Sequence, residues 1–317
     1  MTELTAEKID EAAFEQLYVS IIEPTLAPLE AERLALWKRF WRQLWLLVLP
    51  AALVIGAVIA AFARDIEPFV WFSLFAGMGG AGLAYQPLAR FQRRCKAAVL
   101  SKLAEALKLS YMIEGFSPPA FDAARGFEIL PYYERKSFED LFAGHRRGCD
   151  FQLYEAHLEE ERGSGKNQRW VTTFRGQIIR IAFPKKFLGT TVVNRERFFK
   201  WKRAGFERVG LESSEFERAF EVYGTDQVEA RYLVHPAFMA RLIDFEAAVG
   251  GKKLRCLFHE GDLVICVEGP NMFEVVDVGK PIPEKDRTKK GVLEIQSLFD
   301  VMDQVLDPPR PHWGAKA

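Results

Sequence analysis

The run Leu44 to Ala63 contains no charged side chain. As a helix it would span about 30 Å, the thickness of a hydrocarbon core. A second apolar run, Phe69 to Ala89, has Gln86 as its most polar side chain and follows the short link Arg64-Asp65-Ile66-Glu67-Pro68. So short a link joins two spans only as a tight antiparallel hairpin. Lys38, Arg39 and Arg42 precede the first run, Arg90, Arg93, Arg94 and Lys96 follow the second, and Arg64 alone lies between. The bias of basic residues toward the cytosol places both flanks on that side. Trp37, Trp41, Trp45, Trp71 and Tyr85 stand near the ends of the runs, as interface aromatics do. Ala61-Phe62-Ala63 imitates a signal-cleavage site, but some forty residues precede the run and a second apolar run follows at once, neither of which suits a signal peptide. Two buried helices of a soluble core form the other alternative, although such cores seldom contain uncharged runs this long. Small residues recur four apart as Ala52, Gly56, Ala60 and as Ala76, Gly80, Ala84, ridges that let two helix backbones approach. A homodimer would use the same feature.

The remaining composition excludes more than it selects. With 43 basic and 43 acidic side chains the chain has no overall field to attract nucleic acid, and no nucleic-acid partner is expected. Cys95, Cys149, Cys256 and Cys266 form no C-x-x-C pair, which argues against a zinc ribbon or redox motif. They are read as small buried thiols, kept reduced on the cytosolic side.

Around the hairpin the period is helical. Ile9, Ala13, Leu17 and Ile21 predict a short amphipathic helix that Pro24 and Pro28 interrupt, and Leu29 to Trp41 predicts a helix running into the first span. The acids Glu3, Glu7, Asp10, Glu11 and Glu15 suit docking on its own protein better than an anionic bilayer. Beyond the second span the helix is predicted to continue as a stalk to about Ile113, before Ser117-Pro118-Pro119.

From about Phe121 the period becomes strand-like. Strands are expected at 151–156, 171–183, 190–194, 208–211, 220–223, 254–259 and 263–267. Glu159 to Arg169 is expected to be a hairpin loop, and Glu260-Gly261-Asp262 a hairpin turn. One helix opens at His235-Pro236 and closes at Gly250-Gly251, and another runs from Val292 to Leu306 before Pro308 and Pro309.

Phe174-x-Gly176, the run Leu211-Glu212-Ser213-Ser214-Glu215-Phe216-x-x-x-Phe220-x-Val222-Tyr223, and Asp226-Gln227-Val228-Glu229-Ala230-Arg231-Tyr232 followed by Pro236 and Met239 resemble the bacterial membrane proteins of domain of unknown function family 3137. The likeness runs from about Asp140 to Leu306. It implies a membrane anchor beside a cytosolic domain in the bacterial cytoplasmic (inner) membrane, carries no activity with it, and suggests a LemA-type membrane protein as partner.

Two constellations stand out as candidate sites. Glu212, Glu215, Asp226, Glu229, Arg231 and His235 gather carboxylates, a guanidinium and an imidazole, the components of acid–base or metal chemistry. The same residues also read as caps. Asp226-x-x-Glu229 and Ser214-x-x-Glu217 fit capping boxes, His235 caps the helix opened by Pro236, and Arg231 is left to pair with Glu212. The second constellation, Arg195, Arg197, Lys200, Trp201, Lys202 and Arg203 with Phe198 and Phe199, mixes cations and aromatics as anionic lipid surfaces require. Alternatively its aromatics turn inward onto the sheet. The histidines show no metal-ligand spacing, and no phosphate loop or nucleophile elbow occurs. No catalytic, metal or cofactor residue is therefore assigned.

The sequence thus predicts an α+β protein with an N-terminal helix, a two-helix transmembrane hairpin with a helical stalk, and a mostly antiparallel β cytosolic domain with two packed helices. The boundaries expected are 1–43 for the N-terminal helices, 44–89 for the hairpin, 90–120 for the stalk, 121–307 for the domain and 308–317 for a loose tail. Its expected role is a cytosolic-face binding or scaffolding module contacting anionic lipid or another membrane protein. A metal-assisted hydrolase built on Glu212, Asp226 and Glu229 is the alternative.

Overall fold

The computed structural model describes residues 6–63, 66–184, 186–195, 203–211, 214–248, 252–271, 273–274, 276–282 and 285–306. The chain is of the α+β class, a long N-terminal helix and an antiparallel sheet domain, and divides into two compact units. One unit comprises Glu11–Lys102 and Glu274–Thr288, the other Met1–Asp10, Leu103–Phe273 and Lys289–Ala317.

In the helical unit, Glu11–Ala63 is one helix, so Pro24 and Pro28 do not interrupt it as the sequence suggested. For Pro24, and for Pro50 further along, the reason lies in two wide π turns, Tyr18–Ile22 and Leu44–Val48, which end just before them, whereas Pro28 sits inside the regular helix Glu23–Gln43. A proline lacks an N–H and its ring crowds the carbonyl four residues back, here Ser20 and Leu46. Both carbonyls lie inside a π turn, where the wider winding accommodates the ring. Glu11–Ala63 is long and apolar enough to cross a membrane, and only 11% of its most apolar stretch is buried.

The Glu67–Ala106 helix packs antiparallel to it through the small residues. A Cβ added at Gly56 would fall 1.9 Å from Ser73 Oγ and 2.7 Å from Phe69 O, and one at Gly80 would fall 2.8 Å from Val48 Cγ1. The glycines therefore permit a backbone approach that larger residues would prevent. Away from this seam the side chains are exposed, among them Leu47, Val54, Phe62, Phe75 and Met78. Buried Arg33 donates to both Glu30 oxygens at 2.8 and 2.7 Å and to Val278 O at 2.9 Å, while Ile282 N donates to Glu30 Oε2. The hydrogen bonds from Arg33 lower the Glu30 carboxyl below its ordinary value. Together with Gln92 donating to Val276 O, they fix the 276–282 segment on this unit.

The predicted stalk ends early. Helix Glu67–Ala106 closes with Leu109 N donating to Ala104 O and Lys108 N to Glu105 O, and Lys108 has φ 57°. This is a Schellman motif with lysine at the left-handed position usually held by glycine, which is why the sequence hid the stop. Ser110–Met112 then forms an edge strand, β1. A short helix, Phe121–Gly126, ends the same way on Glu128, at φ 59°.

The second unit is built on a nine-stranded sheet of order β1-β2-β3-β4-β9-β8-β5-β7-β6, in which every neighbouring pair is antiparallel. After β1 the strands are β2 Arg135–Arg146, β3 Cys149–Arg162, β4 Arg169–Ala182, β5 Thr191–Asn194, β6 Glu207–Val209, β7 Glu221–Gly224, β8 Lys252–His259 and β9 Asp262–Glu268. The predicted β8–β9 hairpin is present. The loop expected at 159–169 is shorter, because β3 and β4 stay paired to Arg162↔Arg169. Strand β2 was not anticipated. Its alternation breaks at a bulge between Glu139 and Phe142, where Asp140 has φ 56°, so the apolar residues Phe138 and Phe142 fall out of phase.

Both faces of the sheet are covered. On one, Tyr154, Leu158, Phe174, Ile178, Val264 and Cys266 join Phe121, Ile129 and Leu130 in a common core. On the other, Phe258 meets Phe238 of helix Pro236–Ala248, and Phe151 meets Phe299 of helix Lys285–Leu306. That last helix begins seven residues earlier than the predicted Val292. It is fastened to β2 by Arg146, which grips Asp303 through two hydrogen bonds of 2.8 and 2.7 Å. Two further helices, Ser214–Ala219 and Gln227–Leu233, raise the number above the two expected. All four cysteines are buried and free. Cys256 stands opposite Ile265 and Cys266 opposite Arg255, so the two thiols leave opposite faces of the sheet and cannot pair. Burial pushes the Cys266 thiol up to about 12, in keeping with an unreactive core residue.

Candidate functional site

The acidic block folds around helix Gln227–Leu233. Asp226 adopts an extended backbone before the first turn, and its Oδ1 accepts from Val228 N at 2.9 Å and Glu229 N at 2.8 Å. This is the expected cap. The expected reciprocal bond is not made. Glu229 instead accepts from Leu188 N and Gly189 N, both at 2.7 Å, and so fixes the loop before β5 onto the helix. Gly189 is required there, since a Cβ would lie 2.6 Å from Thr225 Oγ1 and 3.1 Å from Asp226 N.

Arg231 donates to Gly210 O and to Gln227, bracing the strand that precedes helix Ser214–Ala219. Its expected partner Glu212 lies outside the described residues. Glu217 accepts from Leu211 N and so reaches past the start of its own helix. His235 accepts from Phe238 N at 3.3 Å through Nδ1, the cap predicted for it, and burial lowers its pKa below the ordinary histidine value. Four of the named groups are thus engaged with backbone. Among the described residues no set of three or more His, Cys, Asp or Glu is arranged to hold a metal.

What the block presents outward is apolar. Leu188 is 86% exposed, Val228 78% and Tyr232 58%. Val228 and Tyr232 lie four apart on one helix face, and Leu188 belongs to the loop that Glu229 holds. Sequence reasoning passed over these three because it looked for charge, and the contact that brings Leu188 to the helix is not local.

Of the basic–aromatic segment, Arg197, Lys200, Trp201 and Lys202, with Phe198 and Phe199, lie outside the described residues. The two described cations face the domain. Arg195 forms an ion pair with Glu246 and stacks over Phe220, and Arg203 donates to Gly126 O at 2.6 Å and stacks over Phe127.

Replacing Asp226 by alanine orphans two helix amides and is expected to cost about 1 kcal/mol of stability. Glu229→Ala is expected to cost at least as much, because it strips two amides of a charged acceptor and releases the Leu188 loop. Equilibrium unfolding of both variants checks this. Wild-type stability in Glu229→Ala would show that its carboxylate does not hold the loop.

These features define an antiparallel sheet domain whose central polar residues fix loops and helix ends. Residues 172–306 match the family described as Protein of unknown function (DUF3137). The match starts within β4, later than the likeness expected from Asp140. No curated protein matches the chain. Among solved structures, the crystal structure of the mycobacterial trehalose monomycolate transport factor A, TtfA, is similar at 10% identity and a TM-score of 0.34, over 69% of this chain and 99% of that one. That likeness is too slight to bear on activity.

Proposed function

We propose that the chain is a two-pass protein of the bacterial inner membrane, anchored by a transmembrane hairpin over 44–89, with both termini and the sheet domain on the cytosolic side. The observation that carries the reading is the apolar surface of the paired helices. Leu46, Leu47, Val54, Phe62, Phe75 and Met78 are each more than half exposed, an area that water would penalise and lipid would accept. The second helix supports the hairpin by packing against the first through Gly56 and Gly80.

The sheet domain is proposed as a binding or scaffolding module. Leu188, Val228 and Tyr232 support this, as an exposed apolar group held in place by Glu229. Its proposed partner is another membrane protein, of which the LemA type is one. Anionic lipid is a proposed contact for the cations between Arg195 and Arg203. The hydrolase alternative draws no support from the occupied carboxylates of Asp226 and Glu229.

Washing membranes of expressing cells in alkaline carbonate tests the anchor. The full chain is expected to stay in the membrane pellet and to leave it only with detergent. Release by carbonate would mean that the apolar helices are covered by protein.

A further inference from the structure

Strand β4 runs on past the strand beside it. It pairs with β3 along its whole length, from Arg169 to Ala182, but with β9 only from Gly176 to Ala182. Gly269 N donates to Arg175 O as a last bond, and Pro270, which has no N–H, cannot extend the ladder. The Pro270 carbonyl instead accepts from Gln177 Nε2 at 3.0 Å, so the chain has left the line of β9 by this point. Among the described residues, the edge of β4 from Arg169 to Phe174 has no strand on that side.

β9 lies between β4 and β8. Neighbouring strands stand about 4.8 Å apart, so where β9 stops, β4 and the start of β8 are left about 9.6 Å apart, the room of one missing strand. A cleft of about 550 Å³ occupies this place, with Thr172 to Arg175 on one side, Lys252 and Lys253 on the other, and Glu268 to Pro270 at its end. Lys253 is held by Glu268 at 3.4 Å. Arg175 and Lys252 are exposed, and their side chains make no ion pair or hydrogen bond among the described residues. Lys252, Glu268 and Gly176 occupy one cross-strand row and so one face, whereas Arg175, the neighbour of Gly176, points to the other. One cation therefore flanks each face of the cleft. Residues 169–175 contain no acid, so the same edge of a second copy would meet it with like charge. An extended segment with two adjacent carboxylates fits instead, since neighbouring residues of a strand point to opposite faces as the two cations do.

We propose that this cleft binds an extended acidic segment of another protein, added beside β4 on the line of β9. Backbone hydrogen bonds to the open edge hold the segment, and its adjacent carboxylates meet Arg175 and Lys252. Charged side chains on an edge ordinarily repel stray strands, and here they select by charge the one that is accepted. The surface uses none of Leu188, Val228 and Tyr232, and the inference depends neither on that group nor on the membrane reading.

The anisotropy of a dye-labelled peptide, Thr-Val-Glu-Glu-Val-Thr capped at both ends, titrated with the full chain in uncharged detergent, tests it. Saturable binding is expected, weakened about tenfold or more when both glutamates are replaced by lysine. N-methylation of both valines should weaken it about as much, because the two N–H groups point to opposite edges of the strand and one of them faces β4 in either register. Arg175→Glu combined with Lys252→Glu, both at exposed positions, should weaken binding about tenfold or more while moving the thermal midpoint by no more than about two degrees. The peptide controls keep the test decisive if that protein fails to fold. No saturable binding, equal binding of the lysine or the N-methylated peptide, or unaltered binding by the double variant would each overturn the proposal.

Discussion

Replacing Gly176 by alanine is expected to cost about 3 kcal/mol or more, the largest loss from adding a single methyl group anywhere in the sheet domain. A Cβ at this position would lie 1.9 Å from Val267 O and 2.9 Å from Glu268 Cα, all of it backbone of the neighbouring strand β9. No flexible side chain stands in the way to yield. The methyl group must instead part the β4–β9 ladder at the Gly176↔Glu268 pair, beside Gln177. Gly115 provides the control: its φ is +83° but nothing lies near its missing Cβ, so Gly115→Ala should cost only the left-handed penalty of about 1 kcal/mol. Denaturant unfolding of both variants in detergent, followed by fluorescence, measures the difference. Equal losses would mean that the two strands are not in this close register.

Truncating Phe258 to alanine is expected to cost about 3–5 kcal/mol. Phe258 is fully buried on β8 and makes edge-on contacts with Phe187 at 5.5 Å and Phe238 at 5.6 Å. It therefore joins the loop before β5, the sheet and helix Pro236–Ala248, and removing its ring leaves a space that three separate elements would have to fill. Phe258→Leu should recover most of the loss, because it restores volume without the ring contacts. A Phe258→Ala protein as stable as the parent would show that helix Pro236–Ala248 does not pack on β8.

What the sequence disclosed were the features whose cause is local. The Asp226 cap, the His235-Pro236 helix start and the Glu260-Gly261-Asp262 turn each depend on residues within four positions of one another, and each is found where expected. The helix stops at Lys108 and Glu128 are equally local, but left-handed lysine and glutamate leave no mark resembling glycine. Strand β2 was hidden because a single bulge at Asp140 shifts its alternation. Glu229 illustrates the larger limit. Its spacing from Asp226 suits a capping box, yet its carboxylate goes to amides forty residues away, a choice decided by the path of the loop and not by the helix. The cleft beside β4 is of the same kind, since it exists only once the registers of β3, β4 and β9 are set.

By the bias of basic residues toward the cytosol, the 64–68 link and the sheet domain are expected to lie on opposite sides of the membrane, which thiol labelling measures directly. With the four native cysteines replaced, Asp65→Cys is expected to react with a membrane-impermeant thiol reagent in cells whose outer membrane has been opened. Lys166→Cys, in the turn between β3 and β4, is expected to react only after the inner membrane is permeabilised. Labelling of Lys166→Cys in cells with an intact inner membrane, or protection of Asp65→Cys in the same cells, would contradict a two-pass anchor with a cytosolic domain.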